Sequence, residues 1–400
     1  MSASAFSAAH AVLQAEVDAN RLAGVSCATL RHGELIDSFC TGLADINAGT
    51  ALRPDHIHRA FSNTKLFTTV LVLQLAEQGH WQLDDPVKRW IPGFGSLRVL
   101  RPGATTLGDT EPLQSDISIR QLITHTCGLA HGVFDPEGLL YKAYHATGVR
   151  GVATTLAGQM DLLATLPLGF QPGTAWEYAL GIDVLARLCE LATDQTFGDA
   201  LQTRLFEPLG LTDTGFVLRP DQVPRLAALY KGDLADPMAP GLEHLPGTPW
   251  PDAYILPVPR QSGAGGLFST QADMLALLRQ LMPGRPSALL QPATLAAMFT
   301  DQLPPPLCVQ FPVPGPIPSL GFGLGGALVR RVSSLEPPGA VGEMQWGGVA
   351  GTHWFISPAT GLAGVLMCQR HFGFWHPFWF AYKRAVYAAA AGAAVTGQPA

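Results

Sequence analysis

The sequence predicts an α+β fold, with a central antiparallel sheet flanked by helices and a mainly helical second domain. Three observations carry that expectation. Strand-like segments sit at both ends of the chain, one pair after residue 23 and four more after residue 321. Between about Asp84 and Pro259, helix-length segments are separated by proline- and glycine-rich loops. A nearly uninterrupted apolar run after Asn63 marks a helix for the middle of the fold.

In order, MSASAFSAAHAVLQAEVDANRLAG interleaves apolar positions with Glu16, Asp18 and Asn20 and reads as an amphipathic helix, neither a signal peptide nor a membrane span. AGVSCATLRHGELIDSFCTGLAD then reads as two strands turned at His32–Gly33, with Val25, Cys27 and Thr29 alternating. A polar loop through Asn47 and Pro54 leads to RAFSNTKLFTTVLVLQLAEQGH. There Leu66, Val70 and Leu73 form one apolar row and Phe67, Leu71 and Leu75 another, so the helix is covered on more than one side.

Helical segments follow around 117–124, 154–164, 179–192 and 196–205, with loops such as PLGFQPGTAW between them. PGLEHLPGTPWPDAYILPVPR is too rich in proline for regular structure. Helices at 270–281 and near 292–299 precede PPPLCVQFPVPGPIP, read as a rigid surface loop rather than a polyproline ligand. The strands FGLGGALVRRV, AVGEMQWGG, THWFISPATG and LAGVLMCQRH come next, then a helix around 377–390 and a frayed tail. The expected domains are residues 1–84 with 260–400, and residues 85–259, with the active site between them. Terminal helices are expected on one sheet face and the buried helix on the other.

A net charge of -6, with 14% charged and 47% hydrophobic residues, describes a packed globular chain without a cationic surface for nucleic acid or anionic lipid. Six cysteines without a CxxC pair read as free thiols rather than disulfides, which together with the N-terminus favours the cytoplasm.

The chemistry centres on SNTK. Residues three apart share a helix face, so Ser62 and Lys65 can meet. A serine hydroxyl needs a base to take its proton as it attacks. A lysine serves only as a neutral amine, and desolvation disfavours its charged form. The Ser62 N–H at a helix start is also a natural donor to an oxyanion. The competing account makes Ser62 or Asn63 a cap and Lys65 a snorkelling side chain. Two distant segments favour chemistry. In AWEYALGID, Tyr178 offers a hydroxyl that can relay a proton. In MQWGGVAGTHWFISP, glycines open a close turn from which the Val349 N–H can complete an oxyanion hole.

SNTK, YAL, LITHTCGLAHG and QWGGVAGTHWF together resemble the family VIII carboxylesterases, serine hydrolases built on the class C β-lactamase and penicillin-binding-protein fold. The resemblance implies that Ser62 is the acylated nucleophile, Lys65 its base partner and Tyr178 the tyrosine of the second motif. It also implies an oxyanion hole made by the Ser62 and Val349 amides. Leu180 and Trp346-Gly347-Gly348 stand where related β-lactamases have an asparagine and Lys-Thr-Gly. These changes leave an apolar substrate pocket that favours a small neutral or apolar ester, with weak β-lactam turnover as a side activity. Asp183, one turn beyond Tyr178, either supports the proton network or has a cap or surface role.

The expected function is therefore a serine carboxylesterase for small to medium esters. Its alternatives are an acyltransferase using the same acyl-enzyme, a β-lactamase or D-amino-acid peptidase, and a silent binding module. No cofactor or metal is expected. GFGLGG fits a dinucleotide pattern but precedes a strand-like run, so close backbone packing is preferred. His353, His371 and His376 lack metal-ligand spacing, and His125 reads as a loop organiser. No Gly-x-Ser-x-Gly elbow anchors an α/β-hydrolase reading. Trp375 and Trp379 mark either a partner surface or a docked terminal helix. The sequence leaves the oligomeric state open.

Overall fold

The computed structural model describes residues 5–132, 135–151, 153–245 and 255–395. Its centre is an eight-stranded sheet made from the two ends of the chain. Strands β1 (Gly24–Arg31), β2 (Glu34–Asp45) and β3 (Thr50–Ala51) come from the start. Strands β4 (Leu320–Phe322), β5 (Ala327–Val329), β6 (Met344–Gly347), β7 (His353–Ser357) and β8 (Leu362–Cys368) come from the end. The order is β4-β5-β6-β7-β8-β1-β2-β3, with β1 antiparallel to β8 from Val25 opposite Cys368 to Arg31 opposite Leu362. The β1–β2 hairpin turns at His32–Gly33, as alternation predicted. Every residue of β6, β7 and β8 is buried, which requires cover on both faces.

That cover comes from helices at both ends and in the middle. α1 (Ser7–Asp18) packs on β1, β2 and the terminal helix α11 (Pro377–Val395). Between them in sequence lie α2 (Thr64–Glu77), α3 (Ile119–Ile123), α4 (Leu139–Thr147), α5 (Leu156–Leu163), α6 (Gly181–Thr193), α7 (Phe197–Leu201) and α8 (Glu207–Leu209), a π turn over Gln202–Phe206 joining the last two. α9 (Gln271–Gln280) and α10 (Pro292–Met298) complete the set. Ser118, Thr155, Thr196 and Thr270 cap their helices with side-chain oxygens, and Ser118 forms a full capping box with Gln121.

Several features differ from the sequence reading. α9, rather than α2, packs on β1 and β8, and α2 packs chiefly against α6. The apolar rows around all of α2 suit a helix enclosed by other helices, and eleven of its residues are buried. α11 continues to Val395 because its alanine-rich end is a strong helix former. The rest of the tail, 396–400, lies outside the described residues. α4 has no counterpart in the sequence reading. PPPLCVQFPVPGPIP contains a small hairpin, Val309–Phe311 with Gly315–Ile317.

Within 240–260, Glu243–His244 pairs with Tyr230–Lys231 as a short strand, while 246–254 lies outside the described residues. GFGLGG forms the β4–β5 turn, where a Cβ on Gly326 would stand 2.9 Å from the Gln345 carbonyl oxygen. All six cysteines are free; Cys40 and Cys308 are half-buried and the others buried. Among the described residues, no helix is long and apolar enough to cross a membrane.

Candidate active site

Ser62 sits in a 3-10 turn, Phe61–Asn63, that runs directly into α2. Phe61 takes φ +46°, a left-handed value uncommon for a side chain of its size. The turn brings Ser62 Oγ to 3.2 Å from Lys65 Nζ and 2.6 Å from the Tyr178 hydroxyl. Lys65 is buried, donates to the Ala264 carbonyl at 2.5 Å and lies 4.6 Å from the Tyr178 ring centroid. The cap-and-snorkel alternative fails on geometry: neither Ser62 nor Asn63 caps with its side chain, and Lys65 points inward.

The Ala264 carbonyl is itself held. Asp183 accepts from the Ala264 N–H at 3.0 Å, the Ser262 hydroxyl at 2.8 Å and Gln159 Nε2 at 3.2 Å. Thr68 donates to the Gly263 carbonyl at 2.7 Å, and the Leu267 N–H donates to Thr64 Oγ1 at 3.1 Å. The 262–267 loop is therefore pinned to both α2 and α6. Gly263 permits this approach, because a Cβ there would stand 2.9 Å from the Ala186 Cβ. Asp183 and Lys65 thus hold the two sides of the Ala264 backbone, its N–H and its carbonyl. The signal that could have exposed the loop is the glycine density of QSGAGGLFS.

His125 braces Tyr178 from behind. Its Nδ1 accepts the Ala179 N–H at 3.1 Å, its carbonyl accepts the Glu177 N–H at 3.0 Å, and its ring lies 4.9 Å from the Tyr178 ring. His131 contacts the same ring at 4.9 Å. Burial holds both imidazoles well below their ordinary pKa, and nearby cations add to the effect, so neither is charged at neutral pH. Burial, with Asp135 adding to it, also raises the Glu177 carboxyl to about 7.

Across the site, Gly347 ends β6 and Gly348 passes so close to the Ser62 turn that a Cβ on it would lie 2.7 Å from the Ala60 carbonyl oxygen. Thr352 Oγ1 donates to that same carbonyl at 3.2 Å. This contact brings Val349 to the cavity that Ser62 lines. Leu180, Trp346 and Gly347 line it as well, but Gly348 packs against Ala60–Phe61 and does not form its wall.

The cavity has a volume of about 620 Å³. Trp346 stacks on Tyr178 at 5.5 Å, and Phe311, Phe374 and Trp375 extend the aromatic wall. Phe311 comes from the proline-rich hairpin, a contribution that periodicity could not reveal.

The three histidines set aside as metal ligands are engaged separately. His353 stacks on Trp379 at 4.2 Å, His376 pairs with the Pro237 carbonyl at 2.8 Å, and His371 lies near Phe372. The Trp379 stack fixes α11 to β7, and Trp375 faces the cavity, which accounts for both tryptophans without a partner surface. Among the described residues, no group of three metal-ligating side chains comes together.

A hydroxyl held between an amine and a phenol beside an apolar chamber is an arrangement suited to covalent acyl transfer. Comparison with known proteins points the same way. The Beta-lactamase family model matches residues 9–383. The chain is 33% identical to esterase EstB of Burkholderia gladioli, over 96% of this chain and 97% of that one. Among solved structures it resembles EstCE1, described as a hydrolase with promiscuous acyltransferase activity, with TM-score 0.81, 28% identity and coverage of 96% and 98%. It also resembles the LovD6 mutant of simvastatin synthase from Aspergillus terreus, with TM-score 0.82, 27% identity and coverage of 98% and 96%.

Proposed function

The chain belongs to the beta-lactamase family and is a serine hydrolase of its esterase branch, and from that premise we propose that it transfers acyl groups from small to medium esters to an alcohol, with water as the competing acceptor. The observation that carries the reading is the contact of Ser62 Oγ with Lys65 Nζ at 3.2 Å and Tyr178 OH at 2.6 Å beside the 620 Å³ chamber. Such a volume accommodates an acyl group together with a second molecule. Sequence alone placed hydrolysis first. The acyltransferase activity named for EstCE1 and the synthase name of LovD give transfer the stronger support.

In this reading, Ser62 Oγ attacks the ester carbonyl carbon as its proton passes into the Tyr178–Lys65 pair. The amides of Ser62 and Val349 donate to the oxyanion. Collapse breaks the ester C–O bond, and the proton returns to the departing alkoxide. An incoming alcohol or water then reverses the sequence and frees Ser62. Asp183 keeps the Ala264 carbonyl aimed at Lys65, and Leu180 and Trp346 shape the apolar wall. The site lies between the segment pair 1–84 with 260–400 and the segment 85–259.

The test is a panel of nitrophenyl esters with and without an added alcohol, plus one chromogenic cephalosporin. We expect nitrophenol release that disappears in S62A, and a new ester product that outpaces free acid as alcohol rises. K65A should retain its fold and lose at least a hundredfold in acylation rate. Unchanged release by purified S62A sinks the nucleophile assignment. Free acid as the sole product at every alcohol concentration returns the enzyme to pure hydrolysis.

A further inference from the structure

The lining of the chamber carries a charge that an apolar ester does not use. Arg59, Arg150 and Arg260 all line it, and Asp183 is the one carboxylate doing so among the described residues. Asp183 is already engaged by Ser262, Ala264 and Gln159. Arg150 donates to the Gly132 carbonyl at 3.2 Å, and Arg260 donates to the Val149 and Arg150 carbonyls at 2.8 and 2.7 Å. These partners are all neutral, and neither guanidinium forms an ion pair with a carboxylate among the described residues.

Arg150 keeps much of its side chain exposed and Arg260 is half-buried, yet both are set deeply enough that burial lowers their pKa, with Asp183 pushing it back up. The excess is local, since the whole chain carries a net charge of -6. A cleft lined by one sign of charge concentrates ligands of the other, and a guanidinium fork matches a carboxylate in shape as well as charge.

We propose that Arg150 and Arg260 form a subsite for a carboxylate carried by the substrate, so that the acyl chemistry of Ser62 is directed at anionic esters or at hydroxy-acid acceptors. The proposal rests on the acyl-transfer reading and departs from the neutral ester expected from sequence. The aromatic wall takes the hydrocarbon part of the molecule, and the arginine wall fixes its far end.

Two matched pairs test it. In the acyl arm, mono-4-nitrophenyl adipate is compared with 4-nitrophenyl hexanoate. In the acceptor arm, 4-nitrophenyl butanoate donates to 6-hydroxyhexanoate or to its methyl ester. The anionic member of one pair should be favoured about tenfold or more in kcat/KM, a preference within reach of one charged hydrogen bond. The arm that shows it places the carboxylate on the acyl or on the alcohol half.

R150Q and R260Q should bring the ratio toward one, and added salt should shrink it. Arg260 also holds the Val149–Arg150 backbone, so R150Q decides if R260Q does not fold. Neutral substrates preferred in both arms, or a ratio indifferent to R150Q, overturns the subsite. Absence of Ser62-dependent nitrophenol release from the neutral esters overturns the acyl-transfer reading instead.

Discussion

His125 is the residue whose position sequence reasoning came nearest to and still undervalued. It occupies φ +59° and ties the backbone on both sides of Tyr178. Replacing it by alanine leaves the buried Ala179 N–H without an acceptor, at a cost of about 1–3 kcal/mol. It also removes the ring that supports the phenol. H125A should therefore lower the melting temperature and depress kcat by at least tenfold. H125N should recover much of the stability, because asparagine tolerates a left-handed backbone and offers an acceptor. Equal melting temperatures for H125A and wild type would show that the clasp carries no stability.

Ser62, Lys65 and Tyr178 were legible because a three-residue spacing and two short motifs point to them. Ala264 was not, since its carbonyl reaches Lys65 across 199 positions of sequence and contributes no side-chain chemistry of its own.

At the scale of elements, the end of β6 governs how Val349 meets the Ser62 turn. G348A would press a methyl group toward the Ala60 carbonyl, a backbone atom with little room to yield. We expect a folded protein with acylation reduced more than tenfold; wild-type kinetics in G348A would remove the need for that close approach.

Just before β6, a buried polar cluster joins the strand to α11. Lys383 Nζ donates to Glu343 and to the Gln345 amide oxygen, each at 2.9 Å, and also to Glu336, while Tyr387 donates to Glu343. Burial raises the Glu343 carboxyl from its ordinary 4.5 to about 7, with the Lys383 charge opposing the shift and Glu336 adding to it. A folded-state pKa above the unfolded one gives stability that is full below about pH 4.5 and declines as pH rises through about 7. Lys383, raised above its ordinary value, adds support that is lost only in alkali. Denaturant melts of E343Q should accordingly show a flatter pH dependence between pH 5 and 7 than wild type; an identical slope assigns the dependence elsewhere.

Strand alternation and apolar rows revealed these elements in outline. They could not show which helix meets the sheet, because an apolar face does not specify its partner.

The whole molecule is assembled from sequence-distant parts. β1 lies between β2 and β8, so the sheet closes only when the final third of the chain has joined the first. α11 then packs on α1, and its Lys383 is fully buried. Removing residues 377–400 would strip cover from the sheet and leave Glu336 and Glu343 buried without their cation. Such a truncated chain should lose cooperative unfolding and near-ultraviolet circular dichroism. Retention of a sharp melt without α11 would contradict this account. The α+β class was legible because strand-like segments cluster at the two ends; the eight-strand order was not, since pairing partners depend on closure over hundreds of residues.

Tyr178 and Ser62 come from separate stretches of chain, and their 2.6 Å contact crosses the seam between those stretches. A clamshell motion along that seam would part the Tyr178 phenol from the Ser62 hydroxyl and Asp183 from the Ala264 N–H. The contacts that place Ser62 and Ala264 thus also act as a latch between the two stretches of chain.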